Sequence, residues 1–218
     1  MEFLKMKTIV INASPRKRWN TAQILKSAYE GAKSVGADVE YIDLYDIDLK
    51  GCMSCLVCKS KKTEKVKCYW RDDLSPIIER ILEADTLLVG SPIYFGKPTS
   101  HFRALMEWLI FCILSYDDYG SYYKGKLNVG LFYTMNAPED VYNEVYEEDL
   151  KENENLFNLL NANVITYPVF NTLQVKDYSK YHMSAFNEED KKEFNKNQFP
   201  KDLEEAFRIG AKLSKKIK

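Results

Sequence analysis

Long apolar runs are missing from this 218-residue chain. The longest, such as Leu109 to Leu114, fall far short of the roughly 20 residues that cross a bilayer. An excess of one charge is missing too: 31 Lys plus Arg stand against 32 Asp plus Glu, a formal net charge of −1. No overall field therefore gathers nucleic acid or an anionic membrane, and neither is expected as a partner. Glycine and proline are sparse, at 9 and 7, while 45% of residues are apolar. That balance excludes a disordered chain and leaves enough apolar surface for one sizeable core. Only two histidines occur, His101 and His182. Neither belongs to a Ser-His-Asp spacing or an H-E-x-x-H pattern, so hydrolase and zinc-protease readings fall away. Five cysteines are an odd number, and Met1 to Lys7 passes straight into Thr8, Ile9, Val10 and Ile11 without a leader-like apolar segment. The expectation is a cytoplasmic protein with reduced thiols or a metal centre rather than a disulfide framework.

What is present is a β-α rhythm. Lys7 to Ile11 reads as a strand buried on both faces, and Ala22, Leu25, Ala28, Tyr29, Ala32 and Val35 recur at helical spacing before a stop at Gly36. Val39 to Leu44 predicts a second strand. Leu74, Ile77, Ile78, Ile81 and Leu82 predict a helix that Ser75 would cap, with Pro76 in its first turn. Thr86 to Gly90 predicts a third strand, Phe102 to Ile113 a helix behind it, and Leu127 to Tyr133 a fourth strand. A helical, acidic stretch from Pro138 to Leu160 leads to a fifth strand at Val164 to Tyr167. The last helix is expected from about Asp202 to Lys216. Because parallel strands need covered return paths, this alternation predicts an α/β three-layer sandwich with a five-stranded parallel sheet. One domain spanning 1–218 is expected, interrupted by a cysteine-rich insertion at 51–73 and a polar, aromatic insertion at 171–200, both long enough to be functional.

Two loops at the carboxyl ends of strands carry candidate binding chemistry. The first runs from Asn12 to Thr21 into the first helix. It offers the hydroxyls of Ser14 and Thr21, the amide of Asn20, the cations Arg16, Lys17 and Arg18 and the free N–H groups of a helix start, a set suited to a phosphate dianion. It holds no glycine, so neither the dinucleotide fingerprint nor the P-loop is present, and a terminal monophosphate fits better than a pyrophosphate. The plainer alternative makes Asn20 or Thr21 an ordinary N-cap beside solvated cations. The second loop, Gly90 to Thr99, frames Tyr94 and Phe95 with glycine and proline. The pair reads either as a flat binding wall or as two core aromatics.

Ser14-Pro15-Arg16-Lys17 followed by Asn20-Thr21, then Cys52 to Cys58, Asp72-Asp73, Ala84-Asp85 and Gly90 to Gly96, together resemble the flavodoxin-like NAD(P)H-dependent FMN reductases, a family that includes the iron–sulfur flavoproteins. The resemblance is specific over about Lys7 to Leu114. It implies a flavodoxin-like fold holding FMN, with its phosphate on Ser14, Arg16, Asn20 and Thr21 and its ring against Pro92, Ile93, Tyr94, Phe95 and Gly96. A third loop after the fourth strand would contribute Thr134 and Asn136. The chemistry would then be the cofactor's, with NADH or NADPH as donor, a small acceptor such as a quinone, and no catalytic side chain required.

Cys52, Cys55 and Cys58 are spaced C-x2-C-x2-C, and nine residues separate Cys58 from Cys68. Four thiolates so close suit a [4Fe–4S] cluster or tetrahedral zinc, or they remain free thiols. The insertion Lys59 to Lys67, with five lysines, departs from the shorter last gap of the iron–sulfur flavoproteins. Cys112 reads as a small core residue. The aromatics Trp108, Phe111, Tyr116, Tyr119, Tyr122 and Tyr123 around the end of the third helix predict a homodimer interface. Two rivals to an NAD(P)H oxidoreductase follow: an electron carrier with a Cys52/Cys55/Cys58/Cys68 cluster feeding FMN, and a low-turnover flavin sensor or interaction module.

Overall fold

A computed structural model describes residues 5–216. The expectation of an N-terminus without a leader-like run falls partly on Met1 to Leu4, which, like positions 217 and 218, lie outside the described residues. Five parallel strands form the sheet in the doubly wound order β2 (Asp38–Asp43), β1 (Lys7–Asn12), β3 (Thr86–Tyr94), β5 (Asn128–Thr134), β6 (Asn163–Val169). The central strands β1 and β3 are buried on both faces, which is why their β-branched and leucine runs show no polar alternation. Pro168 is tolerated because β6 is an edge strand.

The helices lie on two sides of the sheet. On one side α1 (Asn20–Ser34) and α6 (Glu188–Leu213) pack with Val10, Leu88 and Phe132. On the other, α2 (Ser75–Leu82) and α3 (Ser100–Ile113) close over Ile9, Leu87 and Leu131. The contact between α1 and α6 is unusually close. A Cβ on Gly31 would stand 2.0 Å from the Phe207 carbonyl oxygen, and one on Gly210 would stand 2.0 Å from that of Ala28.

Several sequence expectations change. Ser75 is not the side-chain cap of α2. Asp72 Oδ1 instead accepts from the N–H groups of Leu74 and Ser75, both at 3.0 Å, because the chain turns one residue earlier. β3 runs four residues past Gly90 and doubles back as a tight hairpin with β4 (Lys97–Pro98). The acidic stretch is not one helix: α4 (Glu139–Val141), a π-turn at Tyr142–Tyr146 and α5 (Glu147–Leu156) follow one another, ending in a 3-10 turn at Phe157–Leu160. The last helix begins 14 residues earlier than expected, at Glu188 rather than Asp202. It is capped by Asn187 Oδ1, which accepts from Glu189 and Asp190 at 3.0 and 3.3 Å, and it carries Pro200 in its interior. The last 13 of the 30 positions of the polar insertion, 188–200, are therefore helix. Of the six aromatics near the end of α3, Trp108 and Tyr123 are buried within the chain itself, whereas Tyr116 and Tyr119 stand exposed. No described helix is long and apolar enough to cross a membrane.

Candidate functional site

The carboxyl ends of β1, β3 and β5 converge, and side chains tie their three loops together. Thr99 Oγ1 donates to the Ala13 carbonyl at 2.7 Å, and its own oxygen accepts from Phe102 N–H to cap α3. Thr21 and Thr134 share a hydroxyl hydrogen bond at 2.7 Å. Within the first loop, Asn12 Nδ2 donates to Asp43 Oδ1, while Asn12 Oδ1 accepts from Ser14 N–H at 3.1 Å. Ser14 Oγ then accepts from Arg16 N–H, also at 3.1 Å. Short polar side chains thus brace a turn that contains no glycine.

The loops enclose a cleft of about 270 Å³ lined by Ser14, Arg16, Asn20, Thr21, Pro92, Ile93, Tyr94, Thr134 and Asn136. Nine of the eleven residues singled out for the cofactor are brought together there. Phe95 and Gly96 are not among its walls. They occupy the tip of the β3–β4 hairpin with φ of 52° and 77°, the two left-handed positions of a type I′ turn. That geometry turns the Phe95 ring outward, where it is fully exposed. Trp19, Met135, Thr172, Leu173, Gln174 and Met183 also line the cleft. Trp19 lies inside the loop already singled out. The others, Met135 aside, come from the 171–200 insertion, whose length is the only signal that marked them.

The cleft has the polarity that an anionic, hydrogen-bonding ligand needs. Helix α1 starts behind Trp19 with no side-chain cap and no acidic residue in its first turn, so its leading N–H groups and positive dipole end face the loop. The ordinary-cap alternative is set aside, because Asn20 Nδ2 donates to the Leu173 carbonyl at 2.8 Å and the Thr21 hydroxyl is paired with Thr134. Leu173 also accepts from Trp19 Nε1 at 2.8 Å, and Arg16 donates to the Gln174 carbonyl. The 172–174 segment therefore crosses the mouth of the first loop. Asn136, which lines the cleft, carries an Oδ1 that is buried without a hydrogen-bond partner among the described residues. Burial pushes the Tyr94 phenol above its usual range, and the nearby Arg16 guanidinium opposes this.

The cysteines collect elsewhere. Cys52, Cys55, Cys58 and Cys68, joined by Cys112, line a cavity of about 20 Å³ walled by Trp70, Trp108 and Phe111. The donor set suits iron or zinc, yet among the described residues no group of three or more ligating side chains converges on a metal position. All five thiols are free. Burial raises the Cys68 thiol to about 11 and the Cys112 thiol to about 12. It also raises Cys58, against the pull of the Lys59 ammonium. Lys59 itself donates to the carbonyls of Phe111 and Leu114, binding the cysteine loop to the negative end of α3. Since the thiolate is the reactive form, a thiol reagent at mildly alkaline pH is expected to label exposed Cys55 first and to leave Cys112 unlabelled until the chain unfolds. Peptide mass mapping over time checks this, and equal labelling rates at the two sites would refute it.

A doubly wound parallel sheet with loops joined at the carboxyl ends of its central strands, and a polar cleft between them, defines a flavodoxin-like fold. Residues 6–137 match the family model described as NADPH-dependent FMN reductase, and the chain belongs to that family. An iron-sulfur flavoprotein of Methanocaldococcus jannaschii is 36% identical over 102 residues, 47% of this chain and 51% of that protein. One from Archaeoglobus fulgidus is also 36% identical over 102 residues, 47% of this chain and 48% of its own length. The chain spans about half the length of these curated relatives. In overall shape it matches an NAD(P)H:quinone oxidoreductase from Methanothermobacter marburgensis with a TM-score of 0.72 at 15% identity, covering 96% of this chain and 100% of the other. The azoreductase AzrA gives a TM-score of 0.67 at 15% identity, covering 94% and 99%. At such identities the likeness concerns the fold.

Proposed function

We propose that the chain, as one domain, is an FMN-dependent oxidoreductase that takes electrons from NADH or NADPH and passes them to a small acceptor such as a quinone. The observation that carries this is the cleft itself, whose lining combines an uncapped helix start with Asn136, whose buried Oδ1 has no partner. When bound, FMN supplies the two-electron chemistry. The protein's residues do the rest. Arg16 and the leading N–H groups of α1 hold the phosphate dianion, while the Ser14 hydroxyl keeps the loop in shape. Pro92, Ile93 and Tyr94 form one wall of the ring site, and Asn136 Oδ1 accepts from a donor on the cofactor. No side chain is assigned a proton transfer.

Purified chain mixed with FMN should acquire the visible flavin spectrum and oxidise NAD(P)H in the presence of a quinone. Material that stays colourless and shows no FMN affinity would overturn the reading. FMN-loaded chain without turnover would point to the sensor alternative. The iron–sulfur electron carrier is the second reading, favoured by the gathering of five thiols around one cavity. Iron and acid-labile sulfide in anaerobically purified chain would support it. No step here depends on such a cluster. A cytoplasmic location and a homodimer complete the proposal, the latter supported by the exposed rings of Tyr116 and Tyr119. Light scattering measures the assembly state directly.

A further inference from the structure

Two adjacent lysines near the start of α6 meet different surroundings. Lys192 is exposed and pairs with Glu188 at 2.5 Å. Lys191 is half-buried, and its ammonium donates to the Asn136 carbonyl at 2.7 Å and to Asn171 Oδ1 at 2.5 Å. Both acceptors are neutral. Although Asp190 lines the same cavity, no carboxylate among the described residues pairs with Lys191. An ammonium withdrawn from water without a counter-charge is costly, and burial pulls that of Lys191 below the usual lysine range. Two hydrogen bonds to neutral oxygens hold it there, with the Phe186 ring centroid 5.6 Å from Nζ. The cavity around it, of about 420 Å³, is walled also by Ala137, Pro138 and Phe194.

The two acceptors serve different walls of the cleft. Asn136 lines it directly. Asn171, in the left-handed region at φ 53°, immediately precedes residues 172–174, whose carbonyls at 173 and 174 accept from Arg16, Trp19 and Asn20. The backbone joins these walls through Asn171 N–H, which donates to the Ala137 carbonyl at 3.0 Å, and Thr172 N–H, which donates to that of Met135 at 2.9 Å. Neither bond uses the Asn136 carbonyl or the Asn171 side chain, the two groups that Lys191 takes up. Anchoring the Asn136 carbonyl limits rotation of the backbone from which its side chain springs. We infer that Lys191 is a positioning residue for the cleft: from α6 it holds the third loop and the entry to the 172–174 crossing at one separation, and so aims the Asn136 side chain and the Leu173 and Gln174 carbonyls. Its effect on FMN rests on the reading above. Its joining of the two segments does not, and that is measured without flavin.

The test is chemical rescue. Lys191→Ala removes the stem from Cγ to Nζ, the same atoms as n-propylammonium, and leaves their space open to the cavity. In hydrogen–deuterium exchange read by mass spectrometry, the flavin-free variant is expected to exchange roughly tenfold faster over 134–137 and 170–174, as the loss of a charged donor implies, with α1 and β1 unchanged. FMN should bind it about tenfold or more weakly. Added n-propylammonium should recover most of both losses, and uncharged n-propanol much less. Lys191→Met fills the same space without charge, so it should keep the fold, bind FMN as weakly as Lys191→Ala and ignore the amine. A lysine that merely supported the fold would show a lowered urea midpoint that the amine does not mend at the cleft. Unchanged exchange in Lys191→Ala, or losses that the amine leaves in place, would overturn the inference. If amine-dependent protection appears while the wild-type chain fails to bind FMN, the oxidoreductase reading fails and the joining of the two segments stands. If the wild type binds FMN and both variants bind it as tightly, only the positioning role fails.

Discussion

Arg16→Glu is expected to weaken FMN binding by about a hundredfold or more, measured by quenching of flavin fluorescence on titration. A charge-assisted hydrogen bond contributes roughly 1.5–3 kcal/mol, and the substitution also sets a carboxylate against a phosphate dianion. The guanidinium is exposed, has no carboxylate partner among the described residues, and is bonded only to the Gln174 carbonyl. Removing it should therefore leave the fold close to its original stability. Arg16→Lys keeps the positive charge but loses the planar fork, so it should recover part of the affinity. Wild-type affinity should fall as salt is added, and that of Arg16→Glu should not. An unchanged dissociation constant for Arg16→Glu would remove the phosphate from this loop, and with it the proposed orientation of the cofactor.

The second large effect concerns the fold. Gly31→Ala and Gly210→Ala should each destabilise the chain, although alanine is the better helix former by about 1 kcal/mol. Each new methyl would stand 2.0 Å from a backbone carbonyl oxygen of the facing helix, and a backbone atom has no rotamer by which to retreat. Helix α6 has to move away from α1, opening a seam lined by Ala28, Ala32 and Ala206. Overpacking of this kind typically costs about 1–3 kcal/mol and sometimes more. The double substitution should cost less than the sum of the singles, because one displacement relieves both contacts. Urea unfolding checks this through a lower midpoint at unchanged slope. Single variants within about 0.5 kcal/mol of wild type would show that the crossing is looser than described.

Much of this architecture is legible in the sequence because its cues are local. Two-sided burial marks β1 and β3, the apolar period marks α1, and Gly36, at φ 84°, ends that helix's turn as a left-handed position must. The first loop is legible for the same reason, since Ser14, Arg16, Asn20 and Thr21 lie within eight residues of one another. What stayed hidden depends on distant parts of the chain. Leu173 and Gln174 reach the cleft as backbone carbonyls, a role that no side-chain pattern records. The first half of α6 has no apolar stripe to announce it, and Pro200 reads as a boundary although it sits inside a helix anchored by Asn187 and by the contact with α1. Tyr94 lines the cleft and Phe95 does not, a difference hidden in the sequence because an aromatic pair looks the same whether its rings face inward or outward. Only the left-handed backbone at Phe95 and Gly96 decides between them.

The crossing of residues 172–174 over the first loop has a consequence for how sequences of this kind can vary. Its ties to Arg16, Trp19 and Asn20 are accepted by peptide oxygens, across separations of 153 to 158 positions. Exchanging the side chains at 173 or 174 leaves those oxygens where they are, whereas adding or deleting a residue nearby shifts all of them out of register. The strap should thus tolerate drift in composition and resist change in length.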